Sequence, residues 1–142
     1  MNYNDLLQLY FDRANALQNF WNIYILAVGG ILAFASMRKQ PAALTTFVVC
    51  LLFALFAYEN LGAMRDCTAQ RFAMLEAVKK FDANGGAQTD PTALRQLLEP
   101  TLTPATWQSV KTTHLISDVL TIAGLVVMEL RRRRLSNVSP TA

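Results

Sequence analysis

Cysteine, histidine and glycine are scarce in this chain of 142 residues, which has two Cys, one His and six Gly. One imidazole and two distant thiols supply no His/Cys set at metal-ligand spacing, and no CxxC or HExxH pair occurs. The few glycines form neither a phosphate-binding loop nor a nucleophile elbow, so the sequence predicts no enzyme, no metal and no cofactor. Cys50 and Cys67 fall on one continuous helical pattern, roughly 25 Å apart at about 1.5 Å per residue, which is beyond disulfide reach. Charge is scarce too. Only 16% of residues are Asp, Glu, Lys or Arg against 53% hydrophobic, a balance too apolar for an ordinary soluble domain.

What the chain does have is long uncharged runs. Residues 20–37 and 40–58 contain no charge, and each is long enough for a helix to cross a hydrocarbon core of roughly 30 Å. A third run, 115–130, carries Asp118 and Glu129. Its centre is uninterrupted, Thr112 and Thr113 lengthen it, and Glu129 sits at the end where a side chain reaches the interface. These runs predict an all-α integral membrane protein with spans at about 20–37, 41–59 and 113–130. The link between the first two is so short that they must be antiparallel neighbours, which gives three long transmembrane helices running up-down-up.

Basic residues are distributed unevenly. Arg38 and Lys39 lie in the short link and Arg131, Arg132, Arg133 and Arg134 follow the third run. The opposite face sets Arg13, Arg65, Arg71, Lys79, Lys80, Arg95 and Lys111 against Asp5, Asp12, Asp66, Glu76, Asp82, Asp90 and Glu99, and its charges cancel. Short basic segments beside a span stay in the cytoplasm, so the sequence predicts the N-terminus outside and the C-terminus inside a cell membrane, the inner one in a bacterium. The first residues lack a positive stretch and the apolar run starts late, so no cleavable signal is expected. On this reading the net charge of +3 reports orientation, with Arg38, Lys39 and Arg131 to Arg134 placed to touch lipid headgroups, and nucleic-acid binding is not expected.

Helical periodicity continues beyond the membrane. Tyr3, Leu7, Tyr10, Ala14, Leu17, Trp21, Tyr24 and Val28 recur four and three apart, predicting one helix from about Asn4 to Met37. Leu61, Met64, Thr68, Phe72 and Leu75 predict that the second helix persists to about Phe81, where Asn84-Gly85-Gly86 ends it. Asp90-Pro91 reads as the start of a short helix with Leu94, Leu97 and Leu98 inward, and Thr103-Pro104 as the start of the third long helix. The expected architecture is a single membrane domain over 1–142. Residues 1–19 and 64–112 form a small extracytoplasmic helical head, and 131–142 a basic cytoplasmic tail.

Small residues mark expected sites of helix packing: Gly29, Gly30 and Ala33 in the first span, Ala54 and Ala57 in the second, Ala123 and Gly124 in the third. Trp21, Tyr24 and Tyr58 fall near the outer interface, as an aromatic belt requires. Counting depth from the inner ends places Asn22, Glu59, His114 and Asp118 within little more than one helical turn of one another. They are expected to form a polar layer in the outer leaflet, serving as a hydrogen-bonded clamp between helices or as an ion- or proton-handling site.

These features predict a noncatalytic accessory or scaffolding membrane protein that assembles through helix packing with itself, as a homo-oligomer, or with a larger membrane complex. The alternative is a small homo-oligomeric pore or channel. The outer N-terminus, three spans and basic inner tail resemble the topology of class I phage holins, a resemblance that implies an oligomeric lesion. The long outer segment 64–112 departs from the compact holin pattern, and the inner parts of the first two spans lack a continuous polar stripe.

Overall fold

The computed structural model of the chain describes residues 3–80, 100 and 102–138. Three helices account for nearly all of them: α1, Tyr3–Met37, of 35 residues; α2, Ala43–Lys80, of 38; and α3, Trp107–Val138, of 32. Each is long and apolar enough to cross a membrane, and the described residues contain no strand. None of the three has a proline inside it. Pro41 lies in the α1–α2 hairpin and Pro104 ahead of α3, where a missing N–H and a fixed φ break no helical ladder.

Residues 38–42 make the hairpin, and the Thr46 N–H bonds the Ala42 carbonyl at 3.0 Å as α2 begins. Packing is most extensive between α1 and α2; α3 lies mainly on α2 and also touches α1. The start of α3 falls later than Thr103-Pro104 predicts. Thr106 is the cap: its hydroxyl accepts from the Ser109 N–H at 3.3 Å and its carbonyl from Val110 N–H at 3.1 Å, as an N-cap does. Leu102 is buried against the distal parts of α1 and α2, so residues 103–106 are spent running from that contact to the helix. The segment with Asp90-Pro91, Leu94, Leu97 and Leu98, and the Asn84-Gly85-Gly86 turn, lie outside the described residues.

Two apolar clusters hold the helices. The distal one, remote from the hairpin, joins Tyr3, Leu6, Leu7 and Tyr10 to Leu75, Val78 and Leu102. The central one joins Leu17 and Tyr24 to Phe53, Ala57, Met64, Cys67 and Val110. On α1 the buried residues follow the seam that the spacing predicts. On α2 the seam departs at two places, the first at Leu61, which is only partly buried while its neighbour Asn60 takes the inward position. Phe72 is exposed, and Arg71 takes the inward position, its guanidinium 5.2 Å from the Tyr10 ring centre and donating to the Tyr10 hydroxyl at 3.2 Å. The step from Thr68 is three residues there rather than four, which keeps Leu75 and Val78 on the same face.

The small residues divide. Ala57 is buried, and a Cβ on Gly124 would meet Leu32 Cδ2 at 3.7 Å. Ala33, Ala54 and Ala123 are exposed, and among the described residues nothing lies within 4 Å of a Cβ placed on Gly29 or Gly30. Among the described residues, then, Gly29 and Gly30 meet no other helix, and Ala33, Ala54 and Ala123 are exposed, Ala54 at the rim of a groove between α2 and α3. Gly29 and Gly30 follow Val28 on the α1 seam by about 100° and 200° of rotation, which turns both away from α2 and α3.

Candidate functional site: a polar quartet across three helices

His114, on α3, is fully buried at 0% exposure, an unusual place for an imidazole unless every nitrogen has a partner. Its Nδ1 lies 2.8 Å from Asp118 Oδ2, one turn further along α3. Asp118 Oδ1 accepts from the Tyr24 hydroxyl of α1 at 2.8 Å. On the other side of the ring, His114 Nε2 is 3.3 Å from Asn60 Nδ2 of α2. A carboxylate at Asp118 accepts only, so Nδ1 carries the proton; Nε2 then accepts from the Asn60 amide. With a neutral imidazole in that tautomer, each donor in the chain Asn60, His114, Asp118, Tyr24 has an acceptor, and all three helices contribute.

Aromatic rings enclose the imidazole. The Tyr24 ring centre is 4.2 Å from that of His114 and Trp21 is 5.9 Å away, while Phe53 stands 6.3 Å from Tyr24. In so apolar a setting an unsatisfied polar atom would be costly. Asp118 alone reaches an edge: its side chain is 14% exposed and meets a groove of about 190 Å³ between α2 and α3, lined also by Ala57, Leu61 and Leu115.

The sequence-predicted layer is therefore half assembled. His114 and Asp118 meet, but Glu59 is exposed and Asn22 is exposed with its side chain accepting from Gln18 at 3.2 Å. Asn60 and Tyr24 stand in their places. Depth along a helix fixes height and leaves azimuth open. Adjacent residues are turned about 100° and residues two apart about 200°, so Glu59 and Asn22 share the level of the site but not its face. Of the three expected belt residues, Tyr58 is 75% exposed, Trp21 is half-buried against His114, and Tyr24 is buried with its hydroxyl spent on Asp118.

A second polar cluster ties the hairpin end. Glu129 of α3 is buried; its Oε2 accepts from Thr46 Oγ1 at 3.1 Å, and Arg38, Arg132 and Arg133 approach the carboxylate at 3.7, 3.8 and 3.4 Å. Arg38 also donates to Thr46 Oγ1 and the Ala42 carbonyl. Arg132 donates to the carbonyls of Ala35 and Arg38, the latter at 2.8 Å. These carbonyls end α1, where intrahelical donors run out and the helix dipole favours a cation. Arg38 and Arg132 are thus committed within the bundle, whereas Lys39, Arg131 and Arg134 are exposed and Arg133 is half-exposed. Among the described residues, no three His, Cys, Asp or Glu side chains converge as metal ligands would.

Fold and clusters together define an all-helical bundle of three membrane-length helices, tied by polar contacts at two levels. Compared with known protein families, curated proteins and solved structures, the chain matches none of them.

Proposed function

We propose that this chain is a noncatalytic accessory or scaffolding protein of a cell membrane, assembling through helix packing with copies of itself or with a larger membrane complex. Its N-terminus and the distal cluster lie outside the cell and its hairpin and arginine run inside, by the distribution of positive charge. Labelling of a cysteine placed in the tail from outside intact cells would reverse that orientation.

One observation carries the assembly reading. Phe11 and Phe72 are 48% and 38% exposed, yet they stand roughly 14 and 20 Å beyond the expected spans, at about 1.5 Å per residue. Lipid does not cover side chains at that height, and large exposed aromatics on a head favour a protein partner. The quartet supports the same reading, because its groups are spent on one another across the three helices and it works as a clamp of register. Phe53, Met64 and Leu125 fill the bundle interior, so among the described residues of one copy no polar path supports the pore reading.

The test is the mass of the detergent-solubilised protein, together with a pull-down from native membranes and ion flux in liposomes. An oligomer or a reproducible co-purifying membrane protein, without flux, is expected. A strict monomer that captures nothing would remove the proposal, and flux would replace it with the pore.

A further inference from the structure

The arginine run faces two slots that the orientation argument leaves unused. Between α2 and α3 an open slot of about 310 Å³ has Phe47, Cys50, Ile122 and Val126 as walls. Thr46, Glu129, Leu130 and Arg133 lie at its hairpin end, where the Glu129 carboxylate is already neutralised by its arginines. Beside it, an open concavity of about 260 Å³ on the outer face of α3 is lined, among the described residues, by Val127, Leu130, Arg131 and Arg134. Leu130 lines both and forms the ridge between them. From Ile122 to Arg133 the first slot extends about 16 Å along α3, which is half of a hydrocarbon core of roughly 30 Å, or one leaflet.

Charge at this end is strongly one-sided: residues 38–39 and 129–134 carry six basic side chains and one carboxylate, Glu129, which Arg38, Arg132 and Arg133 approach. Arg38 and Arg132 are consumed by Glu129 and the α1 carbonyls. Arg133 gives its Nε to Glu129 Oε1 at 3.4 Å but is half-exposed at the first slot, so the rest of its guanidinium is presented outward, as are those of Arg131 and Arg134 at the second. Guanidinium is a planar fork of donors matched to phosphate oxygens, and basic pockets between transmembrane helices suit anionic headgroups.

We propose that this end of the bundle is a specific site for one diacyl anionic phospholipid, one chain in the α2–α3 slot, the other along Val127 and Leu130 on the outer face of α3, and its phosphate held by Arg133 and Arg134 on either side of Leu130. The arginine run then has two tasks. Arg132 fastens α3 to the end of α1, and Arg133 and Arg134 hold a lipid. The site uses one end of one copy, so it stands whether or not the assembly reading does and whichever leaflet contains it.

Delipidated, detergent-solubilised protein titrated with phosphatidylglycerol or phosphatidylcholine of the same chains, read by native mass spectrometry, tests this. One phosphatidylglycerol per chain is expected, bound on the order of tenfold or more tightly than phosphatidylcholine. Arg133→Gln should weaken it roughly fivefold. Lys39→Gln, at the same end but on neither slot, should leave affinity unchanged. Because Arg133 also pairs with Glu129, Arg134→Gln provides the same reading if the first fails to fold. Equal affinity for the two lipids, or an equal loss in Lys39→Gln, would reduce the site to diffuse attraction and overturn the proposal. So would displacement of the lipid by millimolar inorganic phosphate, which would mark a site for the free anion.

Discussion

At the scale of single residues, the quartet is decided by who donates to whom. Asp118 accepts from both Tyr24 and His114, so an asparagine there either turns its NH2 to the Tyr24 hydroxyl, which leaves the hydroxyl hydrogen without its acceptor, or sets that NH2 against a ring N–H unless the ring changes tautomer. It is able to do so. With Nδ1 accepting from the introduced amide and Nε2 donating, Asn60 needs only to rotate its own amide and offer oxygen, and the chain of hydrogen bonds closes again. Asp118→Asn is therefore expected to lower stability by less than about 1 kcal/mol, while Asp118→Leu strands two donors at about 1–3 kcal/mol each. Imidazole nitrogen shifts provide a second reading: proton on Nδ1 in the parent, on Nε2 in Asp118→Asn. An asparagine variant as unstable as the leucine one, or one retaining the Nδ1 proton, would defeat this account. A variant that is stable but loses a measured flux would instead promote the channel. Half of the quartet was visible in the sequence as the His114–Asp118 spacing. Asn60 was legible too, since stepping back four residues from Met64 along the α2 seam lands on it; counting depth instead pointed to its neighbour Glu59. Tyr24 already belonged to the α1 seam, and its belt assignment concealed that the hydroxyl turns inward.

At the scale of elements, periodicity carried most of the information. The α1 seam from Tyr3 to Val28 reads directly off the sequence because the same face serves both clusters along 35 residues. The α2 seam was harder to read. Arg71 looks like a solvent residue and Phe72 like a core one, yet a long guanidinium covers the Tyr10 ring and leaves the phenylalanine outside. An arginine with a flat aromatic partner can occupy a seam that apolarity alone assigns to its neighbour. The α3 start raised the same kind of ambiguity, since two threonines three apart both suit an N-cap. The hydroxyl of Thr106 makes the cap bond, so Thr106→Ala should cost about 1 kcal/mol and Thr103→Ala markedly less. Thermal unfolding of the two variants in one detergent checks this; equal losses would mean that the helix starts nearer Pro104. Glu129 shows the limit of sequence pairing rules: its partners three and four residues on were foreseeable, whereas Arg38 and Thr46 come from across the hairpin.

At the scale of the whole molecule, the small residues carry the argument about assembly. In a lipid environment, close approach of backbones is a main source of helix association, and a chain that used Gly29, Gly30 and Ala33 among its own helices would have them buried. They are turned outward, so their packing role, if they have one, is toward another chain. Helical periodicity alone did not settle this, because small residues look alike whether they face a neighbour in the same copy or in the next. The structure makes Gly29→Leu a cleaner experiment than the sequence did: a Cβ there has no neighbour within 4 Å in its own copy among the described residues, and leucine is a better helix former than glycine by about 1 kcal/mol. The monomer should therefore keep or slightly raise its thermal midpoint, while the detergent-solubilised oligomer dissociates at higher protein concentration than the parent. Sedimentation across a concentration series, beside thermal unfolding, separates the two effects. An oligomer unchanged by Gly29→Leu would clear this face of any role in self-assembly and leave the exposed Phe11 and Phe72 as the surface to test. A monomer destabilised by the leucine would contradict the open position of Gly29 itself.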